Sequence, residues 1–265
     1  MAEDLKGGGK PLRIGHKGAD AIVPGNTLES FEAAVDAGVD LIEFDVLRDR
    51  NGRLVVAHDY EDALSRRALD LTDALEAFRY EPLDQVEFDC DLKLPGREAE
   101  LAGVLAGHDL IDRAMISTME VSSLRKLRQL EPDLRLGWTF PKTRRDWSSQ
   151  PLLRPALKGA LALLRRRFPK AIGERADELG LTSVWAYHQV VSERAVEAAR
   201  EAGVDLYAWT VDDAARIAEL AEMGVDGIVS NDPRLFDGAE PPEEDEDEDE
   251  EEDEKKGKAK DEAAS

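Results

Sequence analysis

Val39–Val46 reads VDLIEFDV, and this stretch decides the fold of the chain. Its apolar residues predict a buried strand, which Gly38 separates from a preceding helix. Glu43 and Asp45 interrupt the run at i and i+2, so both side chains point to the same face of the strand. Because an unpaired buried carboxylate is very costly, two on one face need a cation or a proton between them. The alternative is a strand end at which the acids meet arginines or solvent.

Strands and helices alternate on both sides of this stretch. A first strand should end at His16, followed by a helix over 27–37 capped by Asn26. A hairpin turn at 49–52 leads into a return strand that ends at His58. Further strands are predicted at 85–93, 113–119, 134–140, 182–188, 204–210 and 226–230, with helices at 69–78, 99–106, 122–130 (capped by Ser122), 152–179 (broken near Pro169), 192–202 and 212–223.

A weak repeat marks the joints between helices and strands. Gly-Val-Asp follows a helix at 38–40, 203–205 and 224–226, and each copy leads into an apolar strand. Glycine suits these joints because it tolerates the left-handed helix stop. About eight strands alternating with helices over roughly 225 residues predict a single-domain α/β fold, a TIM (β/α)8 barrel. A doubly wound open sheet is the alternative.

Composition limits the class of protein and its partners. The chain has 265 residues and a net charge of −23. Residues 240–265 hold 15 acids against 4 lysines, a net charge of −11, so the rest carries −12. That sign disfavours nucleic acid as a partner. The single Cys90, the absence of a signal-peptide pattern and the absence of a membrane-spanning apolar run predict a cytoplasmic protein.

Domain boundaries follow from the same composition. Residues 1–11 are polar and glycine-rich and predict a disordered leader, and the barrel is expected to span 12–237. Residues 238–265 are expected to be disordered, because 240–254 are almost wholly Asp and Glu and a lysine-rich end follows, so the segment has almost nothing to bury.

Polar residues recur where the predicted strands end, which is where a barrel of this kind carries its active site. They are His16, Glu43, Asp45, His58, Asp91 and Lys93, followed by His188, Trp209 and Asn231 in the later strands. The carboxylates Glu43, Asp45 and Asp91 offer oxygen ligands, which suit Mg²⁺ or Ca²⁺ better than zinc. A bound cation would also offset the acidic surroundings for an anionic substrate.

Several of these motifs together resemble the glycerophosphodiester phosphodiesterase family. They are G-H-K-G-A at 15–19, P-G-N-T at 24–27, G-V-D-L-I-E-F-D-V at 38–46, L-V-V-A-H-D at 54–59, D-L-K at 91–93, A-W-T-V-D at 208–212 and G-V-D-G-I-V-S-N-D-P at 224–233. The resemblance covers about residues 12–236. It implies a TIM barrel that hydrolyses glycerophosphodiesters, small-molecule substrates, to glycerol phosphate and an alcohol with the help of a divalent cation.

Carried over by position, the resemblance assigns roles to individual residues. His16 and His58 look like the acid/base pair, and Glu43, Asp45 and Asp91 look like the metal ligands. Lys17, Lys93 and Trp209 look like substrate-binding residues. The chain departs from the family pattern at three positions: Lys17 replaces an arginine, Gly25 replaces the glutamate of P-E-N-T, and Asp91 replaces a glutamate.

Alternative functions remain open from the sequence. The same site could hydrolyse lysophospholipids as a lysophospholipase D-like enzyme, and the changes at Lys17 and Gly25 would also suit a catalytically weak barrel that binds phosphodiesters or a partner. Leu152–Phe168 mixes leucines with basic residues, a pattern that indicates either contact with an anionic membrane surface or an outer barrel helix with a solvated cationic face.

Overall fold

The structure is a computed structural model that describes residues 9–142 and 154–238. Its strands, numbered in chain order, are β1 Leu12–His16, β2 Leu41–Arg48, β3 Leu54–Val56, β4 Leu69–Asp70, β5 Glu87–Leu92, β6 Ala114–Thr118, β7 Arg135–Phe140, β8 Ser183–Tyr187, β9 Asp205–Trp209 and β10 Gly227–Ser230. Its α-helices are α1 Leu28–Asp36, α2 Tyr60–Ser65, α3 Leu71–Ala77, α4 Glu98–Gly107, α5 Val121–Leu130, α6 Arg154–Leu179, α7 Glu193–Ala202 and α8 Ala214–Met223.

Eight parallel strands close into a barrel in the order β1, β2, β5, β6, β7, β8, β9, β10. Strand β1 pairs in parallel with both β2 and β10, so the sheet has no free edge there. The predicted TIM barrel is therefore confirmed, and the open doubly wound sheet is excluded. Strands β3 and β4 extend β2 as an antiparallel ribbon outside the ring.

Alternation along the strands separates two apolar layers. Phe44 and Phe88 point outward and pack with Phe31 and Phe78 beneath the helices, with the rings of Phe78 and Phe88 4.5 Å apart between centroids. Inside the ring, a second cluster holds Ile14, Leu41, Met115, Trp185, Tyr207 and Val229. The next inward residues of β2 after Leu41 are Glu43 and Asp45, so these acids lie above an apolar floor toward the carboxyl ends of the strands.

The glycine joints behave as the repeat predicts. Gly203 and Gly224 close α7 and α8 in the left-handed conformation, with φ of 69° and 84°. Gly38 also has a positive φ of 74°, although Ala37 is the capping residue of α1. A side chain at these positions would strain the backbone, which explains glycine at each helix-to-strand joint.

Two predicted helix caps and one predicted helix break are wrong. Thr27 caps α1 by accepting a hydrogen bond from the Ser30 amide, whereas Asn26 is turned into the barrel mouth. Helix α5 starts after Glu120 without a side-chain cap, so Ser122 lies inside its first turn. Helix α6 runs unbroken through Pro169, because an apolar stripe on its inner side holds the helix against the barrel; the stripe consists of Phe168, Ile172, Ala176 and Leu179, all buried.

Some predictions fall outside the described residues. The leader before residue 9 and the acidic tail beyond residue 238 both do, as do Leu152 and its neighbour Leu153 in the basic segment. Within the part of the chain that the structure describes, no helix combines the length and the apolar character needed to cross a bilayer.

Candidate active site

Three carboxylates converge at the carboxyl ends of β2 and β5. Asp45 and Asp91 are register partners across these neighbouring strands, and Glu43 lies one inward position earlier on β2. One oxygen from each acid lies within 4.8 Å of the others. The three residues are only 5%, 0% and 8% exposed. The predicted metal ligands are thus brought together in a buried cluster.

Lys93 closes this cluster from the end of β5. Its ammonium contacts Asp45 Oδ1 and lies 2.5 Å from Asp91 Oδ2. Burial would lower the pKa of Lys93, but Asp45 and Asp91 raise it, so the side chain stays charged. The sequence predicted Lys93 for substrate binding, and the structure shows that it also pairs with two of the three acids.

The three carboxylates outnumber this single ammonium. Burial raises the pKa of Glu43 well above its usual value, and the charge of Asp45 raises it further. Burial also raises the pKa of Asp91, although Lys93 opposes the shift. The excess of buried negative charge and the all-oxygen donor set both fit a divalent cation such as Mg²⁺ or Ca²⁺.

The β1–α1 loop orients two of these acids through strained residues. Lys17 and Asn26 both adopt left-handed backbone conformations, with φ of 52° and 59°. The Lys17 amide donates to Glu43 Oε2 at 3.0 Å, and Asn26 Nδ2 donates to Asp45 Oδ2 at 2.7 Å. The Asn26 amide donates back to the Lys17 carbonyl at 2.9 Å, which links the two strained residues. Such strain persists only where surrounding bonds fix it, as they do here.

Asn26 contacts the carboxylate cluster, although its position before α1 predicted a helix cap. An asparagine directly before a helix is a strong capping signal, so the local pattern concealed its role. The only sequence feature that could have found it is its place in the P-G-N-T motif at 24–27.

A chain of hydrogen bonds fixes the orientation of His16. The Asp212 carboxylate accepts a hydrogen bond from the backbone nitrogen of Asn231 at 2.8 Å and another from its side-chain Nδ2 at 2.7 Å. Because an ionised carboxylate only accepts, the Asn231 side chain must turn its oxygen toward His16, and Oδ1 lies 2.6 Å from His16 Nδ1. His16 Nδ1 therefore carries the proton. Sequence reasoning noted Asn231 as a strand-end residue but assigned neither it nor Asp212 to the site.

The other ring nitrogen of His16 faces the acidic cluster. His16 Nε2 lies 3.9 Å from Glu43 Oε2. Burial lowers the pKa of His16, and the neighbouring positive charge of Lys17 lowers it further, although Asp45 opposes the shift. A neutral imidazole with its proton on Nδ1 has an unshared electron pair on Nε2, so this atom can accept a proton at the cluster.

His58 lies on the more open side of the site. It follows β3, its side chain is 53% exposed, and its Nδ1 lies 3.2 Å from Asp59 Oδ2. Its amide donates to Asp62 Oδ2 at 3.0 Å, so the first turn of α2 holds its backbone. Burial raises the pKa of Asp45, but the nearby positive charges outweigh burial and lower it. Lys93 has the largest lowering effect and His58 the next. The positive charges of both predicted histidines therefore favour the ionised form of Asp45.

An aromatic wall lines the mouth across β8 and β9. Trp209 donates from Nε1 to the Trp185 carbonyl at 3.0 Å, and its ring centroid lies 5.6 Å from that of Tyr187. His188 packs edge-on against Tyr187 at 4.9 Å. The structure thus places the predicted Trp209 on the inward face of β9, with Tyr187 beside it on β8. The sequence did not predict Tyr187 for the site, because a tyrosine in an apolar strand looks like a residue of the hydrophobic core.

Comparison with known proteins gives this site a family context. A model of the glycerophosphoryl diester phosphodiesterase family matches residues 16–110 and 99–235, and so spans nearly the whole barrel. The chain belongs to this family. The family consists of phosphoric diester hydrolases, so the enzyme class predicted from the sequence is confirmed.

Curated relatives and solved structures agree with this membership. A glycerophosphodiester phosphodiesterase from Caldanaerobacter subterraneus subsp. tengcongensis is 25% identical over 259 residues, which covers 86% of this chain and 96% of the relative. The crystal structure of a glycerophosphodiester phosphodiesterase from Agrobacterium tumefaciens is 20% identical with a TM-score of 0.64, covering 86% of this chain and 99% of that one. A phosphodiesterase from Oleispira antarctica, solved with the product sn-glycerol-3-phosphate, is 20% identical with a TM-score of 0.65, covering 87% and 96%.

Proposed function

We propose that this family member hydrolyses glycerophosphodiesters to glycerol phosphate and an alcohol, with His16 as general base and His58 as general acid. The observation that carries the proposal is the orientation of His16. Its proton is fixed on Nδ1 by Asn231, and Nε2 faces the carboxylate cluster. A base must present an unprotonated atom where the nucleophile binds, and His16 does so.

His16 and His58 divide the proton transfers according to their surroundings. His16 is partly buried and its pKa is lowered by burial, which favours the neutral form that accepts a proton. His58 is half exposed, with the Asp59 carboxylate at its Nδ1, which suits an imidazolium that delivers a proton from Nε2 to the leaving alcohol. The nucleophile is either water, which gives glycerol phosphate and the alcohol directly, or a substrate hydroxyl beside the phosphate, which releases the alcohol and forms a cyclic phosphate that water then opens.

Glu43, Asp45 and Asp91 are the proposed ligands of the divalent cation. When bound, Mg²⁺ or Ca²⁺ would neutralise non-bridging phosphate oxygens and lower the pKa of a coordinated hydroxyl. Asn26 and the Lys17 amide keep Asp45 and Glu43 oriented for this task. The ammonium groups of Lys17 and Lys93 supply positive charge for the phosphate, and the aromatic wall of Tyr187 and Trp209 borders the substrate.

A direct assay tests this proposal. Purified protein is incubated with glycerophosphocholine or with lysophosphatidylcholine. Turnover of each substrate is measured first in excess EDTA and then after Mg²⁺ or Ca²⁺ is added back. We expect turnover of glycerophosphocholine that EDTA abolishes and one of the two cations restores. Turnover of lysophosphatidylcholine alone would favour the lysophospholipase D-like alternative, and full activity in EDTA with no metal found by elemental analysis would remove the cation from the proposal. Absence of turnover with either substrate would favour the binding barrel.

A further inference from the structure

Asp20 contacts the β1–α1 loop at two points beside the proposed phosphate-binding lysine. Its Oδ1 accepts a hydrogen bond from the Gly25 amide at 2.7 Å, and its Oδ2 lies 3.7 Å from Lys17 Nζ. The Lys17 side chain is 19% exposed and that of Asp20 is 35% exposed. The carboxylate therefore ties the loop backbone to the lysine at the lip of the site.

Lys17 lies beside the reacting groups. It directly follows His16 in the chain, and its backbone amide donates to Glu43 Oε2 at 3.0 Å. Its side chain therefore extends from a backbone position that is fixed at the carboxylate cluster. A lysine side chain has four rotatable bonds and loses considerable entropy when it is held, so a fixed partner increases the fraction of time it spends beside the cluster.

Gly25 gives Asp20 the space to hold this position. A Cβ atom on residue 25 would lie 2.6 Å from Asp20 Oδ1 and 2.7 Å from Lys17 Cβ. Both distances are shorter than real Cβ contacts, so any other residue would displace Asp20 or Lys17. The glutamate that the family pattern carries at position 25 would therefore move Asp20 or Lys17 from its present position, and in this chain the acid nearest that point comes from position 20.

We infer that Asp20 is a positioning residue that holds the Lys17 ammonium toward the substrate phosphate, with Gly25 providing the space for it. This inference rests on the proposed function, because it takes Lys17 as a phosphate-binding group. Asp20 acts through Lys17 and does not touch the substrate. Its loss should therefore affect substrate binding more than the chemical step.

Kinetics on glycerophosphocholine with saturating cation provide the test. Asp20→Ala should raise KM about fivefold, the effect of losing a partly exposed ion pair of about 1 kcal/mol, and should change kcat less than twofold. Asp20→Asn, which keeps the bond to the Gly25 amide but loses the charge, should also raise KM. Asp36→Ala removes an exposed carboxylate at the far end of α1 and should leave both constants unchanged.

The decisive comparison repeats Asp20→Asn in a Lys17→Met background. Because asparagine keeps the bond to the Gly25 amide and the lysine ammonium is absent, this change removes only the repulsion between the carboxylate and the phosphate, so it should lower KM instead of raising it. General charge repulsion would lower KM in both backgrounds, and loss of fold would raise KM in both and lower the melting temperature. Either of those patterns would overturn the inference. Failure of the proposed function is a separate result, namely a wild-type protein with no turnover at all.

Discussion

The orientation of His16 leads to a specific prediction about Asp212. Asp212 accepts hydrogen bonds from Asn231, which in turn contacts His16. Asp212→Asn keeps the size of the side chain but adds a donor where the native carboxylate only accepts. The Asn231 amide is then free to turn its NH₂ group toward His16 Nδ1. That change moves the imidazole proton to Nε2 and removes the electron pair that accepts the proton of the nucleophile.

The size of the effect follows from the hydrogen bond between Asn231 Oδ1 and His16 Nδ1, which is 2.6 Å long. Such a bond contributes about 0.5–1.5 kcal/mol net, and 1.36 kcal/mol is a tenfold change in an equilibrium. We expect kcat to fall by up to about tenfold in Asp212→Asn and in Asn231→Leu, which is less than the roughly 10²- to 10⁴-fold contribution of a general base. KM should stay within about twofold, because we assign neither residue to substrate binding and both act through His16.

Two measurements check this prediction. Steady-state kinetics with saturating cation are compared with Asp232→Asn, a matched control in which the partly buried carboxylate next to Asn231 bonds to the backbone and side chain of Arg234. ¹⁵N NMR of histidine-labelled protein, with the His16 signals identified by their loss in His16→Ala, reports which ring nitrogen carries the proton. Wild-type His16 with its proton on Nε2, or unchanged kcat in both variants, would refute the reasoning.

Three further predictions concern catalysis, stability and the tail. His16→Ala or His58→Ala should each lower turnover by about 10²- to 10⁴-fold with an unchanged melting curve, and the double variant should be scarcely worse than the worse single one; near-wild-type turnover in both folded single variants would contradict the assignment. Glu98 is buried, which raises its pKa, but hydrogen bonds from Lys126 and from three other groups (the Gly96 amide, its own amide and the Ser123 hydroxyl) lower it to about 2. Because the pKa of Glu98 is lower in the folded than in the unfolded protein, about 3 kcal/mol of stability is present above pH 4.5 and is lost as the pH falls toward 2. In urea titrations over this pH range, Glu98→Gln should therefore lose less stability than the wild type. An equal loss of stability in both proteins would count against the interaction of Glu98 with Lys126. Truncation after Asp237 should leave stability and activity nearly unchanged, since residues 240–265 offer almost nothing apolar to bury; a melting temperature lower by many degrees would show that the tail contributes.

The amino-acid sequence determined the architecture and the composition of the acidic cluster. Alternation of apolar strands with helices predicts the barrel, and the i, i+2 spacing of Glu43 and Asp45 places both on its inner face. Glycine at the helix ends is likewise a local signal, since it reflects the steric limits of one residue. These features depend on near neighbours in the chain, so they are visible without a structure.

Only the tertiary structure decided how the site is held. Asn231 meets His16 across 215 positions of the chain because β10 closes the barrel against β1, and no local pattern encodes that contact. Asn26 was misassigned because its capping signal is strong, whereas the fold fixes it in a left-handed conformation through bonds to Asp45. Lys93 bridging two acids likewise exists only once neighbouring strands align. Periodicity is a property of consecutive residues, but the partner of each catalytic side chain depends on the register and closure of the whole sheet.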